Sequence, residues 1–224
     1  MSVSEHVSTR LAAALRQNEA LWDCLHRIPA LNLASWYLGA GCVAQTIWNL
    51  AHGKAPGADI LDYDLVYYES ELSEERERAV TRKARELVAD LQIELDVTNE
   101  AHVHIWYPKQ FGYRIQPYLS TEDAIGTWPT TATAIGVRPR GRQLEVCAPF
   151  GLDDLFNLVV RPNRVQITPA IYNAKVTRWV SRWPSLVVCR WEEGVGSSGL
   201  RHLGPPGPQA GSSLQRCAPK ESDR

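Results

Sequence analysis

The sequence predicts a mixed α/β (α+β) fold, and three observations carry that prediction. Helical periodicity alternates with short apolar strands along the chain. Two of those strands place acidic residues at alternate positions, which suits half-buried strands of one sheet. Of 224 residues 44% are hydrophobic, enough for a real core. Elements in this order predict a mixed sheet with flanking helices, in one domain over residues 1–193.

Residues 4–28 place Val7, Leu11, Leu15, Leu21 and Leu25 near one helical face and predict a first helix. "SWYLGAG" reads as a buried strand ending in glycines, and "CVAQTIWNLAHG" as a helix stopped at Gly53. "ILDYDLVYY" alternates, with Leu61, Tyr63 and Leu65 on one face and Asp62 and Asp64 on the other. Residues 73–92 form a helix with Glu74 and Glu75 at its positive N-terminal end and an apolar stripe of Val80, Ala84, Leu87, Val88 and Leu91. "IELDVTNE" alternates again and sets Glu94, Asp96 and Thr98 on one face. "TATAIGVRPRGRQLEVCAPF" predicts two strands around a Pro-Arg-Gly turn, "LDDLFNLVV" a short helix, and "PAIYNAKVTRWVSRW" a longer helix with proline in its first turn. "SLVVCRW" closes the domain as a strand. Residues 194–224, rich in glycine, proline and serine, predict a disordered tail.

Charge and composition narrow the function. With 24 basic and 25 acidic side chains the formal net charge is -1, so no overall field draws the protein to nucleic acid. The first residues lack the apolar core of a secretory signal, and no window approaches the roughly 18 apolar residues of a membrane span. A cytoplasmic protein is expected. Cys24, Cys42, Cys147, Cys189 and Cys217 form no CxxC pair and read as reduced thiols.

Asp62 and Asp64, two residues apart on one strand face, with Glu94 or Asp96 on a second strand, are suitable ligands for Mg²⁺, which binds carboxylates together with substrate phosphates. The turn Gly39-Ala40-Gly41 lets a phosphate approach the main chain, where the following helix offers unpaired N–H groups. A nucleoside triphosphate satisfies both halves. In two-metal phosphoryl transfer the ions stabilise the attacking and leaving oxygens.

These features resemble the polymerase-beta-like nucleotidyltransferase superfamily. More narrowly, "GAGCVAQTIWNLAHG", "DYDLVYY", "NEAHVHIWYPKQFG", "STEDAI", "TATAIGVR", "APFGLDDLFNLVVRPN" and "AKVTRWVSRWPSL" are similar in order to a bacterial nucleotidyltransferase-like family first catalogued as a domain of unknown function. The resemblance implies a minimal nucleotidyltransferase fold, two Mg²⁺ ions, a nucleoside triphosphate and a hydroxyl acceptor that attacks the α-phosphate. It implies Asp62, Asp64 and Asp96 as catalytic metal ligands, Asp96 being preferred to Glu94, and Gly39, Ala40, Gly41 and Cys42 as the phosphate turn. Cys42 stands where the superfamily has serine, and arginines typical of the narrower family are missing near Thr98 and His102. Those departures motivate an alternative, a non-catalytic descendant acting as ligand sensor or interaction module. Lys54, Arg138, Arg161 and Lys175 are the basic residues available to compensate.

His102 and His104 in "AHVHIWYP" read as packing residues on a strand, because no further metal ligand accompanies them. The eight tryptophans read as core rather than base-stacking platforms, and Asp153 and Asp154 as the acidic start of a helix.

Overall fold

The computed structural model describes residues 3–71 and 73–192; the expected tail, 194–224, and Cys217 within it lie outside the described residues. The single N-terminal helix expected over residues 4–28 is in fact two, α1 (Val3–Leu15) and α2 (Glu19–Arg27). Asn18 makes the break. Its side-chain oxygen caps α2 by accepting the Leu21 N–H, and its amide nitrogen donates to Thr46 Oγ1 at 2.8 Å. Asparagine offers the backbone an alternative to helical bonding, and here a buried partner fixes that alternative. A 3-10 turn, Ile28–Leu31, leads to β1 (Trp36–Gly39).

The next helix, α3 (Gly41–Ala51), stops as expected: Gly53 has φ 65°, and the Lys54 N–H returns to the Asn49 carbonyl at 2.9 Å. β2 (Tyr63–Tyr67) starts later than its sequence pattern implies. Leu61 and Asp62 precede it, and Leu61 is 54% exposed instead of facing the core. Pairing with the neighbouring strand begins only at Tyr63, whose N–H bonds to the Glu94 carbonyl at 2.8 Å. After α4 (Glu74–Leu87), capped by Ser73, β3 (Leu95–Asn99) runs parallel to β2.

The strand expected through His102 and His104 is absent. Asn99 turns the chain by accepting the N–H groups of Ala101 and Glu69, giving a 3-10 turn, Glu100–His102, and then α5 (Val103–Phe111). His102 is buried, and its Nδ1 meets Glu77 Oε1. α6 (Thr121–Ile125) precedes the hairpin of β4 (Gly136–Arg140) and β5 (Gln143–Cys147), which forms where expected. Asp153 and Asp154 open α7 (Asp153–Phe156). β6 (Val159–Val160), α8 (Pro169–Arg182) and β7 (Val187–Val188) follow, and β6 and β7 pair in parallel.

The main sheet has the order β3-β2-β1-β4-β5, with only β2 and β3 parallel. One face carries Leu38, Tyr63, Leu65, Leu95, Val97 and Val137 into the main core, against residues of α1 to α4 and α8. There Trp48 meets Trp179 and Trp183 edge-on, at 5.3 and 5.4 Å between ring centroids. The opposite face is read from the strand register: Asp96, Asp64, Gly39, Gly136 and Cys147 form one row, and Thr98, Val66, Tyr37, Arg138 and Glu145 the next. Ile125 of α6 packs with Tyr37 and Val66, so α6 covers the second row and leaves the acidic end of the first. Among the described residues Cys24, Cys42, Cys147 and Cys189 form no disulfide. Among the described residues no helix is long and apolar enough to cross a membrane.

Candidate active site

Parallel pairing of β2 and β3 sets Asp64 directly beside Asp96, while antiparallel pairing with β1 sets Asp64 beside Gly39 on its other flank. The acids and the glycine turn are therefore neighbours on one sheet face. Burial, then the charges of Asp62 and Asp96, push the Asp64 carboxyl up to about 7. Asp62, just ahead of β2, is also raised, first by partial desolvation and then by Asp96 and Glu94, against the opposing pull of Lys175 and Arg178. Crowded carboxylates with raised proton affinity are characteristic of sites that receive positive charge. Glu94, the rival third acid, lies before β3 and borders a shallow cavity of about 310 Å³ with Arg85, Val88, Ile93 and Leu95.

The glycine turn has its own structural causes. A Cβ on Gly39 would sit 2.2 Å from the Ile135 carbonyl oxygen and 2.9 Å from Gly136 Cα, so the close approach of β4 excludes any side chain there. Ala40 holds φ 52° and ψ -121°, a backbone region that favours glycine, and its N–H is taken by the Ile135 carbonyl at 2.9 Å. The Gly41 N–H, at the start of α3, acts on the Asp64 carboxyl and lowers its proton affinity. Cys42 is fully buried, and its thiol donates to the Gly39 carbonyl at 3.0 Å. Burial holds that thiol well above its usual range, so it is neutral, and only the Cys42 main-chain N–H is left to meet a phosphate. Relief of the strained Ala40 backbone leads to a test: Ala40→Gly should raise stability by about 1 kcal/mol, read as a higher urea midpoint with unchanged slope.

Of the four basic residues expected to compensate, three are engaged elsewhere. Lys54 donates to the Arg182 carbonyl at 2.9 Å, Arg138 pairs with Glu145, and Arg161 pairs with Asp154 at 3.1 Å. Lys175 acts on both Asp62 and Asp64, and Arg178, one helical turn further along α8, acts on Asp62 with it. Sequence reasoning left Lys175 unplaced and missed Arg178, although a Lys-x-x-Arg spacing on a helix was the available signal. It also missed Glu100, which is 5% exposed and lies near Asp64 and Asp96.

A nucleotidyltransferase family model matches residues 26–188, almost the whole described domain. The chain belongs to this nucleotidyltransferase family. A solved structure reported to reveal a CCA-adding enzyme head domain, determined by NMR, is similar to it with a TM-score of 0.67 and 26% identity, over 81% of this chain and 95% of that one. No curated protein matches. In this member of the family the mixed sheet and its flanking helices are those of a head-domain-like fold.

Among the described residues no three His, Cys, Asp or Glu side chains are drawn together closely enough to hold a metal as they stand. The donors nevertheless fit: Asp64 and Asp96 share a register position, Asp62 lies two residues before Asp64, and their mutual repulsion is the kind that a cation relieves.

Proposed function

We propose that this chain transfers a nucleoside monophosphate from a nucleoside triphosphate to a hydroxyl acceptor, in a reaction that depends on Mg²⁺. The observation that carries this reading is the row formed by Asp96, Asp64 and Gly39, with the N-terminus of α3 at one side and Lys175 and Arg178 acting on the acids from α8. Asp62, Asp64 and Asp96 would hold Mg²⁺, whose charge offsets that gathering on a phosphoryl group in transfer. The main-chain N–H groups that open α3 receive phosphate oxygens, helped by the positive end of the helix. Lys175 and Arg178 supply the cationic wall that a triphosphate of several negative charges requires. Likeness to a CCA-adding enzyme head domain supports a nucleoside triphosphate as donor. The acceptor is a hydroxyl compound of unassigned class, and the balanced net charge argues against a large nucleic acid.

A second reading, a non-catalytic ligand sensor or interaction module, is favoured by the buried neutral Cys42 thiol, which cannot serve a phosphate as a serine hydroxyl would. One experiment separates the two. Thermal unfolding is followed with ATP, GTP, CTP or UTP, with and without Mg²⁺, for the wild type and for Asp62→Ala/Asp64→Ala. At about 100 times its dissociation constant a nucleotide should stabilise by roughly 2.7 kcal/mol, or about 5–10 °C, with Mg²⁺ only. The double variant should show no such shift. A shift that survives in that variant, or none with any nucleotide in the wild type, would sink the transferase reading.

A further inference from the structure

Resting on the nucleotidyltransferase reading, we infer that Gln45 binds the part of the triphosphate beyond the α-phosphate and sets the preference for a long phosphate tail. The residue lies one turn into α3 and is 6% exposed. Its amide oxygen is buried and, among the described residues, has no hydrogen-bond partner. The other buried amide and hydroxyl of that helix are engaged. Thr46 donates to the Cys42 carbonyl and receives the Asn18 amide, while Asn49 donates to the Pro56 and Ala58 carbonyls and accepts the Trp183 indole N–H. Buried polar groups almost always find a partner, so the exception at Gln45 calls for a reason.

Geometry supplies one. Gln45 follows Gly41 by four residues, which sets both on one face of the helix, and helical side chains lean toward the N-terminus. A Cβ on Gly41 would sit 2.8 Å from Gln45 Nε2 and 3.8 Å from its Cδ. The amide therefore fills the hollow that glycine leaves at the start of α3, two residues past Gly39, the register partner of Asp64. No side chain caps α3 there. The first turn thus presents main-chain N–H groups and one amide nitrogen with two N–H donors, at the positive end of the helix. An anion suits that set.

The order of the row identifies which part of the nucleotide arrives. With the α-phosphate at Asp64 and Asp96, α3 begins on the Gly39 side, beyond the acids. The tail carries most of the negative charge of the triphosphate, and the helix end favours it over the sugar and base. Because the Gln45 oxygen has no partner, the amide costs stability that an apolar side chain of similar length would spare. Glutamine here serves a ligand at the expense of the fold.

The test measures dissociation constants for ATP, AMP and inorganic tripolyphosphate, each with Mg²⁺, by calorimetry on the wild type, Gln45→Met and Gln45→Leu, together with the melting temperatures of the free proteins. The two replacements differ in shape and share the loss of the amide, so an effect common to both reports that loss. Both should bind ATP and tripolyphosphate about tenfold more weakly, and AMP within about twofold of wild type. At least one of them, free of ligand, should melt about 2–4 °C above wild type. Undiminished ATP and tripolyphosphate binding by the variants, or an equal loss for AMP, overturns the inference and leaves the nucleotidyltransferase reading intact. A lower melting temperature in both variants overturns it as well, since the amide would then belong to the fold. A wild type that binds neither ATP nor tripolyphosphate overturns both.

Discussion

Asp64→Asn is expected to make the metal-free protein more stable at pH 8 while abolishing its Mg²⁺-dependent response to nucleotides. Both effects have one cause. Asp64 is half-buried between Asp96 and Gly39, and is pushed up to about 7 by burial and by its acidic neighbours. An acid whose proton affinity is raised on folding costs nothing below its ordinary value near 3.8, where both states are protonated. The cost grows as the pH climbs from about 4 to 7 and is complete above that. Wild-type stability should therefore fall across this window, and Asp64→Asn should not follow it. Asparagine keeps an oxygen of the same shape facing the Gly41 N–H at the start of α3. At pH 8 the variant should gain on the order of 2 kcal/mol, about 4–8 °C in melting temperature. A variant less stable than wild type at pH 8 would show that the ionised carboxylate is not a cost to the fold.

Gly39→Ala is expected to destabilise by about 3 kcal/mol or more, lowering the melting temperature by roughly 6–12 °C. The added methyl would lie 2.2 Å from the Ile135 carbonyl oxygen and 2.9 Å from Gly136 Cα, and both obstacles are backbone atoms of the adjoining strand segment. A flexible side chain could yield; a paired strand cannot without loosening the contact of β1 with β4. Thermal unfolding checks this, and a change under about 1 kcal/mol would mean that the two strands separate easily. Gly39 thus serves the sheet before it serves any ligand.

Much of this molecule was legible in its residues, and the illegible parts share a cause. Alternation in "DYDLVYY" and "ELDV" gave two strands with acids on one face, because a period of two is written locally. The same pattern overran the start of β2, since Asp62 lies where pairing has not yet begun. Asn18 broke the first helix because Thr46, far along the chain, offered its side chain a buried partner. In the "AHVH" stretch two alternating histidines mimicked a strand, while Asn99 turned the chain into a helix through bonds that include Glu69. Lys175, Arg178 and Glu100 meet the aspartates only through tertiary packing, so sequence could at most nominate them. Cys42 was readable as a departure from the superfamily, but its turn into the core was not.

The separation of Lys175 and Arg178 from the acids along the chain bears on synthesis. Asp62, Asp64 and Asp96 leave the ribosome first, and for the interval before α8 emerges they form an uncompensated negative surface. That helix can dock only once Trp179 and Trp183 reach Trp48, and its flanking strands β6 and β7 pair only when residue 188 has been made. The nascent sheet must therefore persist with its like charges unanswered until α8, translated well after the aspartates, brings Lys175 and Arg178 to them.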